Sequence, residues 1–101
     1  MRLKHIVCWN FKKGFTPEEL GARARRAKAG FEALSGLIDG LVCIKAIDAP
    51  LPSGNKDFAL LSVFESEDAL AGYQAHPEHV KVSEFVREFC EGRACVDFFD
   101  E

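Results

Sequence analysis

Hydrophobic and polar positions change period several times along this chain, and each change marks an element. Residues 2–11, "RLKHIVCWNF", are rich in β-branched and aromatic residues and meet no breaker before "KKG", which predicts a strand. Alternation sets His5, Val7, Trp9 and Phe11 on one face and Ile6, Cys8 and Asn10 on the other. Both faces are largely apolar, so the strand is expected to be covered on both sides. "TPEE" at 16–19 then opens a helix, with Thr16 as cap, Pro17 at the first position and Glu19 completing a capping box. Leu20, Ala24, Ala27, Phe31 and Leu34 recur three and four apart. They predict one apolar stripe on a helix reaching about residue 35, with Gly36 as terminator. Gly21 and Gly30 each cost such a helix ~1 kcal/mol, so close packing against a neighbour is expected there.

"GLVCIKAID", residues 40–48, predicts a second strand, and the Pro- and Gly-rich "APLPSGNKD" a loop. "FALLSVFE", residues 58–65, predicts a third strand, and "SEDALAGYQA" a short helix capped by Ser66. Pro77 breaks that helix and starts another, reaching about residue 90, with Val82, Phe85, Val86 and Phe89 on its core face. "RACVDFF" closes as a fourth strand. The order β-α-β-β-α-β predicts an α+β, ferredoxin-like protomer: a four-stranded antiparallel sheet with helices on one face. The other face is also apolar, and a chain this short has nothing left to cover it. A second copy does so most economically, giving a homodimer through the sheet face, a dimeric α+β barrel.

Composition narrows the function. The 101 residues suit a single domain over 1–101, with 48% apolar and 29% charged residues. Net charge is −3, and the basic residues are scattered apart from "RARRAK", the solvated face of a helix. No nucleic-acid partner is expected, since phosphate binding needs a concentrated basic surface. No apolar run approaches the ~18 residues of a membrane span. The first residues carry no small-residue cleavage site, so no leader and a cytoplasmic location are expected. Cys8, Cys43, Cys90 and Cys95 form no CxxC pair and have no histidine at metal spacing. They read as buried thiols, and neither metal nor cofactor is expected.

The chemistry concentrates in "YQAHPEHVKVSEFV", residues 73–86. His76 reads as the N-cap of the helix begun by Pro77, which puts His79 at the edge of the Val82/Val86 stripe, looking between helix and sheet. A helix N-terminus disfavours imidazolium, so His79 is expected to be neutral and able to take a proton. His5 converges on it if its face of the first strand is the helix-covered one, and Tyr73 brings a phenol that can donate to an oxyanion. A base and a neutral donor in an apolar cavity, here Val7, Trp9, Leu60, Val82 and Phe85, suit proton abstraction beside a carbonyl. Each residue also has a plainer role: His5 as a hydrogen-bonded core histidine, Tyr73 as a core aromatic. A metal set of His5, His79 and Asp97 lacks any ligand spacing in the sequence.

"KHIVCWNFK", "FESEDALAGYQAHPEHVKVSEFV" and "VDFF", spread over residues 3–98, resemble the stress-responsive α/β-barrel (Dabb) domain family. The resemblance implies a ferredoxin-like protomer dimerising through its sheet. Within that family the chain is similar to the plant enzyme olivetolic acid cyclase, a cofactor-free polyketide cyclase. By that likeness the acid–base work falls on His5, Tyr73 and His79. The lining departs from it at Ala24, Ala27 and Ala29, where that enzyme has larger aromatics, and at Arg93 and Cys95. Two functions are therefore expected of the family member: a dimeric module binding a small apolar or carbonyl ligand, or a cofactor-independent cyclase or lyase.

Overall fold

Seven elements follow one another in the computed structural model, which describes residues 1–100. They are β1 (Arg2–Phe11), α1 (Pro17–Glu32), β2 (Leu41–Ile47), β3 (Phe58–Phe64), α2 (Glu67–Ala75), α3 (Pro77–Phe89) and β4 (Cys90–Asp100). The strands form one antiparallel sheet in the order β2-β3-β1-β4, the ferredoxin-like arrangement. The helices cover the face carrying Leu3, His5, Val7 and Trp9, all buried.

Local chemistry accounts for the element ends. The Thr16 hydroxyl accepts from the Glu19 N–H at 3.1 Å, and the Glu19 carboxylate accepts from the Thr16 N–H at 2.7 Å, so the capping box is complete. Helix α1 stops at Glu32 rather than near 35, because the chain passes into turns over residues 33–40 that include the left-handed Gly36 and Gly40. The last turn of α1 is also tied to the sheet. Glu32 accepts from the Ala46 N–H at 3.0 Å, Lys28 donates to the Ala46 carbonyl at 2.7 Å, and Lys28 and Glu32 pair at 2.8 Å. Edge strand β2 thus has a peptide group occupied by side chains rather than left open.

Gly30 is explained by packing: a Cβ there would lie 3.1 Å from Val82, so its absence lets α1 approach α3. Gly21 meets only Arg25 of its own helix, and close packing does not explain it. Gly40 holds φ +81° where a Cβ would lie 2.4 Å from that of Ala69, so only glycine fits between β2 and α2.

Two expectations are corrected. Strand β4 begins at Cys90, not near Arg93, because the chain leaves α3 directly in extended geometry (φ −120°, ψ 151°). The cysteines are not all buried: Cys90 is, Cys8 is half-buried, and Cys43 and Cys95 are exposed. Cys43 stands on the uncovered sheet face, and Cys95 on an edge strand beyond the reach of the helices. That uncovered face carries Ile6, Cys8, Val63 and three large side chains in the open, Leu61 (41%), Val96 (53%) and Phe98 (41%). No helix of the described residues is long and apolar enough to cross a membrane.

Candidate functional site

A cavity of about 50 Å³ lies between the helices and the sheet. Strand β1 supplies His5, Val7 and Trp9 to its wall, β3 supplies Leu60, α2 supplies Tyr73 and α3 supplies His79. The break at Pro77 sets up the last two. His76 caps α3, its Nδ1 accepting from the Glu78 N–H at 3.1 Å, while its own N–H donates to the Tyr73 carbonyl at 3.1 Å. The chain therefore turns between α2 and α3 with its polar groups satisfied, and the Tyr73 and His79 rings meet at 4.1 Å between centroids.

His79 Nδ1 lies 3.3 Å from the Gln74 carbonyl. A carbonyl only accepts, so Nδ1 carries the proton and Nε2 keeps a lone pair. Burial lowers the His79 pKa from its ordinary value, opposed by the Gln74 hydrogen bond and aided by the positive charges of Arg87 and Arg93 and by His5. Burial is thus the leading cause of neutrality. The Tyr73 hydroxyl is buried and has no hydrogen-bond partner among the described residues. Burial raises its pKa, so it stays a phenol and a donor. His5, 3% exposed, has its ring 6.3 Å from Tyr73, edge-on at 71°. Its Nδ1 donates to Asp97, which stands opposite it in the β1–β4 register. That contact selects the tautomer whose Nε2 accepts.

The three candidate acid–base residues are therefore brought together on one cavity. Val82 and Phe85 are not. Along a helix turning about 100° per residue, Val82 is rotated about 60° and Phe85 about 120° away from His79. They line a separate groove with Arg26 and Gly30, and the Arg26 guanidinium sits 4.2 Å over the Phe85 ring. Ser83, one turn after His79, takes the cavity position instead.

Further residues on the wall are Phe31, Gln74 and Arg93. Arg93, itself exposed, follows Gly92, which adopts φ +64° where the β1–β4 register shifts. A glycine inside a strand is the sequence signal of such a bulge. Asp97 was grouped with His5 in the sequence only as a conceivable metal ligand; its role as the hydrogen-bond partner of His5 depends on register. Metal-ligand proximity also arises in an unexpected set: His5 Nδ1, Cys95 Sγ and an Asp97 oxygen lie within 4.8 Å of one another. His79 is outside that set, and the His5–Asp97 hydrogen bond already satisfies it.

The family model of the stress responsive A/B barrel domain (Dabb) matches residues 3–100. No curated protein matches the chain. Among solved structures, the chain is similar to a dimeric protein of unknown function and ferredoxin-like fold from Bacteroides fragilis. Identity is 31%, coverage 98% of this chain and 96% of that one, and TM-score 0.91. A dimeric ferredoxin-like protein of unknown function from Thermobifida fusca is 25% identical over 97% of this chain and 90% of its own, with TM-score 0.80. The hydroxynitrile lyase of Passiflora edulis shares the fold at 14% identity, with coverage of 99% and 94% and TM-score 0.78. Strand order, helix placement and the match across residues 3–100 lead to one conclusion: the chain belongs to the stress responsive A/B barrel domain family.

Proposed function

We propose that this chain is an acid–base catalyst for a small carbonyl compound, a single domain working as a homodimer with its own side chains as base and oxyanion donor. The observation that carries the reading is the buried, unpartnered Tyr73 hydroxyl beside a neutral His79 on the same cavity. An orphaned buried hydroxyl costs roughly 1–3 kcal/mol, and a developing enolate oxygen would satisfy it. In the proposed step His79 Nε2 takes a proton from the carbon next to the carbonyl. The released electron pair moves onto the carbonyl oxygen, which accepts a hydrogen bond from Tyr73. His5, oriented by Asp97, acts as the second base or returns the proton. A cyclase or lyase step differs only in what the enolate does next.

The homodimer is supported by the apolar, open sheet face and by the dimeric relatives from Bacteroides fragilis and Thermobifida fusca. A cytoplasmic location is supported by four free thiols, two of them exposed. A second reading, a pocket that binds a ligand without turning it over, is favoured by the small size of the enclosed space, about 50 Å³.

The two readings separate in deuterium oxide. With 2-butanone as probe, proton NMR follows exchange of the hydrogens beside the carbonyl. Catalysis predicts exchange above the buffer rate, lost in His79→Ala and slowed roughly 10²–10³-fold in Tyr73→Phe. The rate should fall as pH drops through the His79 pKa, below the ordinary value of 6.5. Exchange at the buffer rate, or exchange indifferent to both substitutions, leaves only the binding reading.

A further inference from the structure

We propose that Arg93 makes this cavity selective for a carboxylate, so that its ligand is a short oxo acid: the carbonyl lies inside against Tyr73 and His79, and the carboxylate sits at the mouth on the guanidinium. The inference rests on the pocket reading above and adds the chemical class of its ligand.

Three observations carry it. Arg93 lines the cavity although it belongs to the exposed edge strand β4, because alternation puts it on the same face as Cys95 and Asp97, opposite Val7 and His5. Among the described residues no carboxylate lies within ion-pairing distance of it. Neither Glu91 nor Asp97 of β4 lines the cavity, and Asp97 is engaged by His5. Arg93 instead neighbours the Cys95 thiol, which burial first and Asp97 second keep protonated, so that group is no counter-ion. The remaining polar groups on the wall, His5, Tyr73, Gln74, His79 and Ser83, carry no negative charge. The wall therefore holds a cation without an anion.

Size agrees with charge. About 50 Å³ of enclosed space admits only a few heavy atoms, enough for a carbonyl group and its neighbouring carbon but not for a long chain. Arginine is the side chain whose planar fork matches a carboxylate through two parallel hydrogen bonds, and such charge-assisted pairs are about twice as strong as neutral ones. An apolar residue at this position would select a greasy tail, and a lysine would offer a point charge without the fork.

The test uses two probes of equal size, 4-oxopentanoate and 4-oxopentanamide, titrated against the full chain with Trp9 fluorescence as readout, since Trp9 is on the cavity wall. The wild-type protein should bind the carboxylate roughly tenfold more tightly than the amide, a preference that shrinks with added salt. Arg93→Gln should erase the preference, and Arg93→Lys should retain part of it. Equal affinity for the two probes in wild type, or a preference that survives Arg93→Gln, overturns the assignment while the pocket stands. A carboxylate preference untouched by Ser83→Phe, which fills the cavity, places the binding elsewhere and overturns the pocket reading. Binding of neither probe overturns both.

Discussion

The two faces of the sheet are made from one strand read in alternate residues, and they have opposite fates. On β1, Leu3, His5, Val7 and Trp9 are all under 9% exposed, while Lys4, Ile6, Cys8 and Asn10 between them keep contact with solvent. The covered face is finished: Trp9, Phe31 and Phe58 fill it with rings 5.6–6.4 Å apart, and its one irregularity is the polar cavity. The open face is also largely apolar at its centre, with Lys4 and Lys45 beside Ile6 and Leu61, but has no layer over it. A core completed within one chain can hold a cavity, whereas an apolar face left open is a candidate interface.

The largest expected effect breaks the covered face. Phe31→Ala should cost about 3–5 kcal/mol by denaturant unfolding, at any protein concentration, because the lost contacts are internal; a loss that vanishes on dilution would refute this division of labour. Next comes the open face. Phe98→Glu should turn a dimer into a monomer by sedimentation while circular dichroism stays native, and an unchanged sedimentation coefficient would show that this face is not the interface. The smallest effect sharpens the contrast within the covered face itself. Tyr73→Phe removes an unsatisfied buried hydroxyl and should raise stability by about 1 kcal/mol even as it impairs exchange. A destabilised Tyr73→Phe would mean that the hydroxyl has a partner and is not held ready for a ligand.

Much of this was legible in residue patterns. Thr16, Ser66 and His76 cap where their local sequence says they should, since capping depends on neighbours three residues apart at most. The pairing of His5, Tyr73 and His79 followed from period and face, together with the family likeness. What stayed hidden depends on distances along the chain or on rotation. Asp97 meets His5 across ninety-two residues, and no local pattern states which residue of one strand opposes which of another. Val82 and Phe85 were placed in the cavity because an apolar stripe shows that a helix is buried, not which of two neighbours it is buried against. Cys43 looked internal because a strand apolar on both faces does not show whether its second face is covered, and Cys95 because periodicity does not show which strand ends at the sheet edge.

The junction at Cys90 has a consequence for how this domain can change. Helix α3 ends at Phe89 and β4 starts at the next residue, so no spacer separates His79 from Arg93 and Asp97. Inserting or deleting one residue there would turn everything upstream on the helix by about 100° and flip everything downstream on the strand to its other face. In the loop at residues 48–57, Asn55, Lys56 and Asp57 are tied to β1 and Gly92, so length can vary only in its first part, residues 48–54. Diversification by indels is therefore channelled away from the stretch that holds the chemistry, where only substitution is open.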